Sequence, residues 1–152
     1  MMLVFMRHGE AEPSSPGVKD EDRRLTERGR ADVEAVASIL ALEIPVAYTS
    51  PLARAVETGE ILCRVRGCRV EVRRELHPED FGLEALSSLD LGEGYVLVGH
   101  NPSMRQVVES LVGGRISLKP GSAAVVEVES LRPGGGRLEA LISPRMILAK
   151  RV

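Results

Sequence analysis

Three short segments of this 152-residue chain concentrate residue types that do chemistry. They are Arg7-His8-Gly9-Glu10, the run Thr49-Ser50-Pro51-Leu52-Ala53-Arg54-Ala55-Val56-Glu57-Thr58, and Val98-Gly99-His100-Asn101-Pro102. A guanidinium fork meets the oxygens of a phosphate with paired, charge-assisted hydrogen bonds. An imidazole titrates near neutrality and can serve as nucleophile, proton carrier or metal ligand. Arg7 and Arg54 together with His8 and His100 therefore describe a site that grips an oxyanion and reacts with it. A metal site on the two histidines lacks a clear set of further ligands, and no metal or cofactor is expected.

Residues of this kind are useful only if something brings them together. Residues 2–6 form a short apolar run that stops at Arg7, which reads as a buried strand delivering Arg7 and His8 at its carboxyl end. Residues 11–25 hold Pro13, Pro16, Gly17 and a cluster of charges, and read as an exposed loop beside the site. Thr26 can cap a helix in which Val33, Val36, Ala37 and Leu40 share one face, and that helix should end before Pro45. Residues 46–49 read as a second strand. Ser50-Pro51 then supplies a capping hydroxyl and a proline suited to the first helical position, so a helix to about Val65 is expected.

The spacing predicts a third strand over 69–74 and a short helix within 80–89. Residues 95–98 are a continuous apolar run ending in Gly99-His100, and Asn101-Pro102 repeats the cap-and-proline start of a helix reaching about Leu111. Two last strands, 123–128 and 138–142, flank the turn Pro133-Gly134-Gly135-Gly136. Strands alternating with helices imply an α/β fold, a three-layer α/β/α sandwich with a mostly parallel central sheet. Ligands in such folds bind outside the carboxyl ends of the strands, where His8 and His100 are expected. With no repeat and no linker in view, residues 1–152 are read as a single domain.

Composition narrows the function classes. Twenty Lys and Arg against 22 Asp and Glu leave a net charge of −2, without the general attraction to phosphate backbones that a nucleic-acid binder uses. The apolar start, Met1 to Met6, is too short for a signal peptide or a spanning helix, so no membrane association and a cytoplasmic location are expected. Lysine is confined to Lys19, Lys119 and Lys150, and most of the arginines read as composition bias. Cys63 and Cys68 lack a zinc-site pattern and read as reduced thiols, a disulfide being open if the source is a hyperthermophile.

The three segments, in this order and at strand exits, resemble the histidine phosphatase superfamily, with its RHG motif, its S-P-L-x-R-A-x-x-T motif and a later GH. Arg24-Leu25-Thr26 with Gly29, Glu75-Leu76 with Pro78, and Ser143-Pro144 are similar to the short SixA-type phosphohistidine phosphatases. The resemblance implies a phosphoglycerate mutase-like fold over nearly the whole chain. It also implies a metal-independent phosphatase in which His8 accepts the phosphoryl group and His100 hydrogen-bonds it. Arg7 and Arg54 would bind that group, helped by the amino end of the helix after Ser50-Pro51, with Asn101 as a further substrate contact.

A proton donor to the leaving group is harder to place. Glu75, Glu79 and Asp80 lie in the region where many members carry one, with His77 a weaker candidate that reads as structural. A departing imidazole, with a pKa of about 6.5, leaves protonated near neutrality without a tuned acid. Between Arg54 and His100 there is also little room for the helical lid of the larger family members. Both points suit phosphohistidine on a phosphorelay or phosphotransfer protein. The alternatives are a small phosphomonoester such as a sugar or nucleotide phosphate, or a non-catalytic phosphate-binding module. A nucleotide-binding domain is disfavoured because no GxGxxG or GxxxxGK[ST] follows a predicted strand.

Overall fold

The computed structural model describes residues 1–148. Six strands form one sheet in the order β3-β2-β4-β1-β5-β6. They are β1 (Met2–Arg7), β2 (Val46–Thr49), β3 (Arg69–Val72), β4 (Tyr95–Gly99), β5 (Ala123–Val128) and β6 (Gly136–Ile142). Strands β1 to β4 run parallel, and β5 is antiparallel to both β1 and β6.

Alternation along β1 builds the layers. Leu3 and Phe5 point to one face, where they join Leu97, Leu86 and the apolar side of α4 (Ser103–Val112), formed by Met104, Val107, Val108 and Leu111. Val4 and Met6 point to the other face. There they meet Val33, Val36, Ala37 and Leu40 at α1 (Glu27–Ile39), and Ile61 and Leu62 of α2 (Ala53–Arg66). Successive side chains of a strand face opposite ways, so one buried strand feeds two cores and must be apolar throughout. Each such Leu, Val or Phe contributes roughly 1.5–3 kcal/mol by leaving water. The expected three-layer α/β/α architecture is the one observed, completed by α3 (Leu83–Ser87) and α5 (Pro144–Leu148).

Local details depart from the sequence reading. Thr26 caps α1 through Gly29 N–H as expected, at 2.9 Å. Ser50-Pro51 does not open α2: the helix begins at Ala53, because the Ser50 hydroxyl is drawn to His100 and Leu52 stays extended. Asn101-Pro102 is a cis peptide, Asn101 turns its amide to Leu118, and α4 starts at Ser103. Strand β3 stops at Val72 and a 3₁₀ turn follows over Arg74–Leu76.

Cys63 and Cys68 form a disulfide, contrary to the reading of reduced thiols. Gly67, left-handed at φ 72°, ends α2 and folds the chain back, so that the two Cα atoms are 4.4 Å apart. A glycine adopts that backbone without penalty, and the turn it makes supplies the proximity that spacing alone did not reveal. Among the described residues, no helix is long and apolar enough to cross a membrane.

Candidate active site

The sheet order delivers the three segments to one place. Strands β2, β4 and β1 are neighbours, with Thr49 opposite Val98 and Gly99 opposite Arg7 at their carboxyl ends. The chains stay joined beyond the strands: His8 N–H donates to Gly99 O at 3.0 Å and Ser50 N–H to Val98 O at 3.2 Å. The His8 and His100 rings consequently lie 5.0 Å apart, centroid to centroid. From α2, Thr58 ties Arg54 to this turn, accepting Gly9 N–H at 3.0 Å and donating to Arg54 O at 2.7 Å.

Hydrogen bonds fix the state of both rings. His8 Nδ1 lies 2.7 Å from Gly9 O, an acceptor, so Nδ1 carries the proton and Nε2 keeps a free lone pair. Burial pushes the His8 pKa down to about 4; the Gly9 carbonyl opposes this, and Arg54, Arg7 and Arg23 add to it. His100 is pushed down to about 3, again chiefly by burial, then by His8, Arg54 and His77, with Asp20 opposing. Both rings are therefore neutral near pH 7. Ser50 Oγ accepts Leu52 N–H at 3.2 Å and lies 2.6 Å from His100 Nε2. A serine that donates there leaves the ring proton on His100 Nδ1.

Arg7 donates through NH1 to Leu118 O at 3.1 Å, and burial lowers its pKa. Arg54, only 6% exposed, donates through NH1 to the Asp20 carbonyl at 2.9 Å and through NH2 to Asp20 Oδ2 at 3.2 Å. That leaves Arg7 Nε, Arg54 Nε and His100 Nδ1 buried with no partner among the described residues. A buried donor without an acceptor costs roughly 1–3 kcal/mol, so three on residues that act on or neighbour the His8 ring point to an anion as the missing acceptor.

The remaining predicted residues are placed differently. Asn101 donates to Leu118 O at 2.9 Å, the same carbonyl that Arg7 holds. Glu75 pairs with Arg73 at 3.2 Å, and Glu75 and Asp80 line a separate groove with Arg74 and Glu84. Glu79 is exposed and joined to His77 through its backbone, whose N–H donates to His77 Nδ1 at 3.2 Å. The carboxylate that acts on His100 is instead Asp20.

Sequence reasoning also passed over Glu57, which anchors the loop before α1. It accepts Leu25 N–H at 2.9 Å, Arg24 at 3.0 Å and Arg30 at 3.1 Å. Burial alone would raise its pKa, yet these donors hold it below the usual carboxylate range. Ser50, Thr58 and Glu57 stood inside a recognised motif, whereas nothing in the sequence distinguished Asp20 from its charged neighbours. Among the described residues, no group of three or more His, Cys, Asp or Glu side chains is placed to hold a metal ion.

Comparison with known proteins agrees with this geometry. The family model "Histidine phosphatase superfamily (branch 1)" matches residues 3–91, more than half of the chain. No curated protein sequence matches. Among solved structures, the protein histidine phosphatase SixA complexed with tungstate superposes with a TM-score of 0.79 at 25% identity, over 95% of this chain and 97% of that one. A protein from Agrobacterium tumefaciens assigned as a phosphohistidine phosphatase SixA gives 0.75 at 24% identity, over 94% and 97%. An Escherichia coli protein assigned as an alpha-ribazole-5'-P phosphatase gives 0.72 at 17%, over 95% and 98%, and so shares the fold. The chain thus belongs to the histidine phosphatase superfamily, and its activity is that of a phosphatase.

Proposed function

We propose that this phosphatase removes the phosphoryl group from phosphohistidine on a phosphorelay or phosphotransfer protein, with His8 as the transient acceptor. The observation that carries the reading is the neutral His8 ring, Nε2 lone pair free, beside three buried donors that lack an acceptor. The Nε2 lone pair forms a bond to phosphorus while the P–N bond to the substrate imidazole breaks. That imidazole leaves as a neutral ring, keeping on its other nitrogen the proton it already carried as protonated phosphohistidine. Water then attacks phosphorus, the bond to His8 breaks, and inorganic phosphate departs with His8 neutral again. Splitting the substitution in two replaces one difficult step by two easier ones.

The cations act where charge is greatest. A phosphoryl group in transfer spreads negative charge over its equatorial oxygens, and Arg7, Arg54 and the His100 Nδ1–H are the donors assigned to them. A bound dianion would also raise the His100 pKa from its buried value, which strengthens the hydrogen bond this ring gives to it. The choice of substrate is supported by what covers the site. Between α2 and β4 the chain forms only β3, a three-residue 3₁₀ turn and the five-residue α3. A phosphate presented on a protein can reach such a site, while a small sugar phosphate would find few remote contacts.

The test is to trap labelled phosphate on the enzyme from a phosphohistidine protein. The label should be lost in acid, survive alkali, and be absent from His8→Ala. Labelling of that variant at the normal level would remove His8 as nucleophile. Arg54→Ala should lose about 10²–10³-fold in kcat/KM, the range for one preorganised charge donor.

A further inference from the structure

The loop between β1 and α1 does more than border the site. Its neck is closed by the Ala11–Leu25 bridge and by Glu12 N–H donating to Arg24 O at 2.7 Å, and Glu57 fastens the far side. Its tip is a 3₁₀ turn, Asp20–Asp22. From this turn Asp20 gives both its backbone carbonyl and Oδ2 to Arg54, while Oδ1 accepts Arg23 Nε at 3.1 Å. The two partners differ sharply in exposure, the Asp20 side chain being 62% exposed and that of Arg54 8%.

We propose that Asp20 is a latch on the phosphate clamp, a carboxylate of the chain itself that occupies Arg54 until a phosphoryl group displaces it. This rests on the reading of Arg54 as a phosphoryl-binding residue. A guanidinium grips phosphate best through two adjacent N–H groups. Arg54 Nε has no partner among the described residues, and the neighbouring NH2 already gives one of its two hydrogens to Asp20 Oδ2, so a phosphoryl oxygen that completes the fork is brought onto the nitrogen that the carboxylate holds, and the two anions repel. The exchange is feasible because the departing group is exposed and returns to water at little cost, whereas a dianion gains more from a buried cation than a monoanion does. The Asp20 carbonyl can keep its bond to NH1 throughout, so the loop stays docked while its side chain swings. Arg23, one of the charges acting on His8, then loses its carboxylate partner while its NH1 stays on Glu12 O at 2.9 Å. The latch keeps a buried arginine paired in the empty site and makes the enzyme select against weakly charged oxyanions.

Inorganic phosphate binding, measured by calorimetry on the full-length protein, tests the latch. Asp20→Asn should bind phosphate about 2- to 5-fold more tightly than the unaltered protein, the scale of releasing one partly exposed ion pair. Glu21→Gln, its exposed neighbour, reports the general effect of removing a negative charge nearby and should change binding less than Asp20→Asn. The gain from Asp20→Asn should also vanish in an Arg54→Ala background. Unchanged or weaker binding in Asp20→Asn, or an equal gain in Glu21→Gln or with Arg54 absent, overturns the latch. If Arg54→Ala alone binds phosphate normally, the reading of Arg54 fails and the latch fails with it. If Arg54→Ala loses binding but Asp20→Asn gains none, only the latch fails.

Discussion

As the proposed phosphoryl acceptor, His8 can attack only while its ring is neutral, and burial at the end of β1 keeps it in that state. The same burial makes His8 a pH-dependent element of stability. Its pKa is about 4 in the folded protein against an ordinary 6.5, so the unfolded chain binds the proton more readily. The contribution to stability is complete above the unfolded value and is lost as pH falls from 6.5 through the folded value. Integrated over that window it amounts to about 3 kcal/mol. Denaturant unfolding of the protein and of His8→Asn, near neutrality and near pH 4, measures it as the change in their stability difference. The unaltered protein should lose about that much relative to the asparagine variant on acidification. A difference that does not change with pH would mean that the ring is not held neutral. His100 is shifted in the same direction for the same leading reason, and reinforces the trend.

The elements matter because they bring the chain exits within hydrogen-bonding reach, and one contact between elements is unusually tight. Gly29, in the first turn of α1, packs on the Gly9–Glu10 backbone so closely that an added Cβ would collide with Glu10 O, while a Cβ on Gly9 would lie 2.9 Å from Gly29 O and Val33 Cγ2. Gly29→Ala must therefore push α1 away from the turn that orients His8. It should lower stability by about 1–3 kcal/mol, the usual cost of overpacking, and lower kcat more than it raises KM. An alanine variant with normal Tm and kcat would show that this approach has slack. The strands were legible in the sequence because β1, β2 and β4 are buried on both faces and read as unbroken apolar runs. Their adjacency was legible only through the resemblance, since no local pattern states which strands pair. What stayed hidden depended on partners distant in the chain. Ser50 and Asn101 look like helix caps, but their side chains are taken by His100 and Leu118, so both helices begin later than cap chemistry predicts. Asp20 belongs to a loop rich in charges that suit solvent, and its contact with Arg54 is visible only in the folded chain.

At the scale of the whole molecule, under the proposed reading the fold gives the phosphoryl group its cations but leaves the departing group with little help. Glu75 and Asp80 belong to another groove, and Glu79 is exposed. The carboxylate that does act on His100, Asp20, would be raised by burial, but Arg54 and Arg23 together hold it below the ordinary range. It is ionised near neutrality, and so cannot protonate a leaving oxygen. An enzyme built in this way should discriminate by the intrinsic stability of what departs. A positioned general acid contributes about 10²–10⁴-fold, and that factor should be missing for leaving groups that need a proton. Across a series of phosphate monoesters, kcat/KM is therefore expected to fall by at least about 10²-fold from nitrophenyl to alkyl leaving groups. A phosphohistidine protein should rank with the fast substrates, because its imidazole departs with a pKa near about 6.5. A flat dependence on leaving-group pKa would reveal an acid that the described geometry does not contain, and would move the substrate reading toward sugar and nucleotide phosphates. A steep one, with alkyl esters nearly inert, would tie the open, acid-poor architecture directly to the phosphoramidate bond.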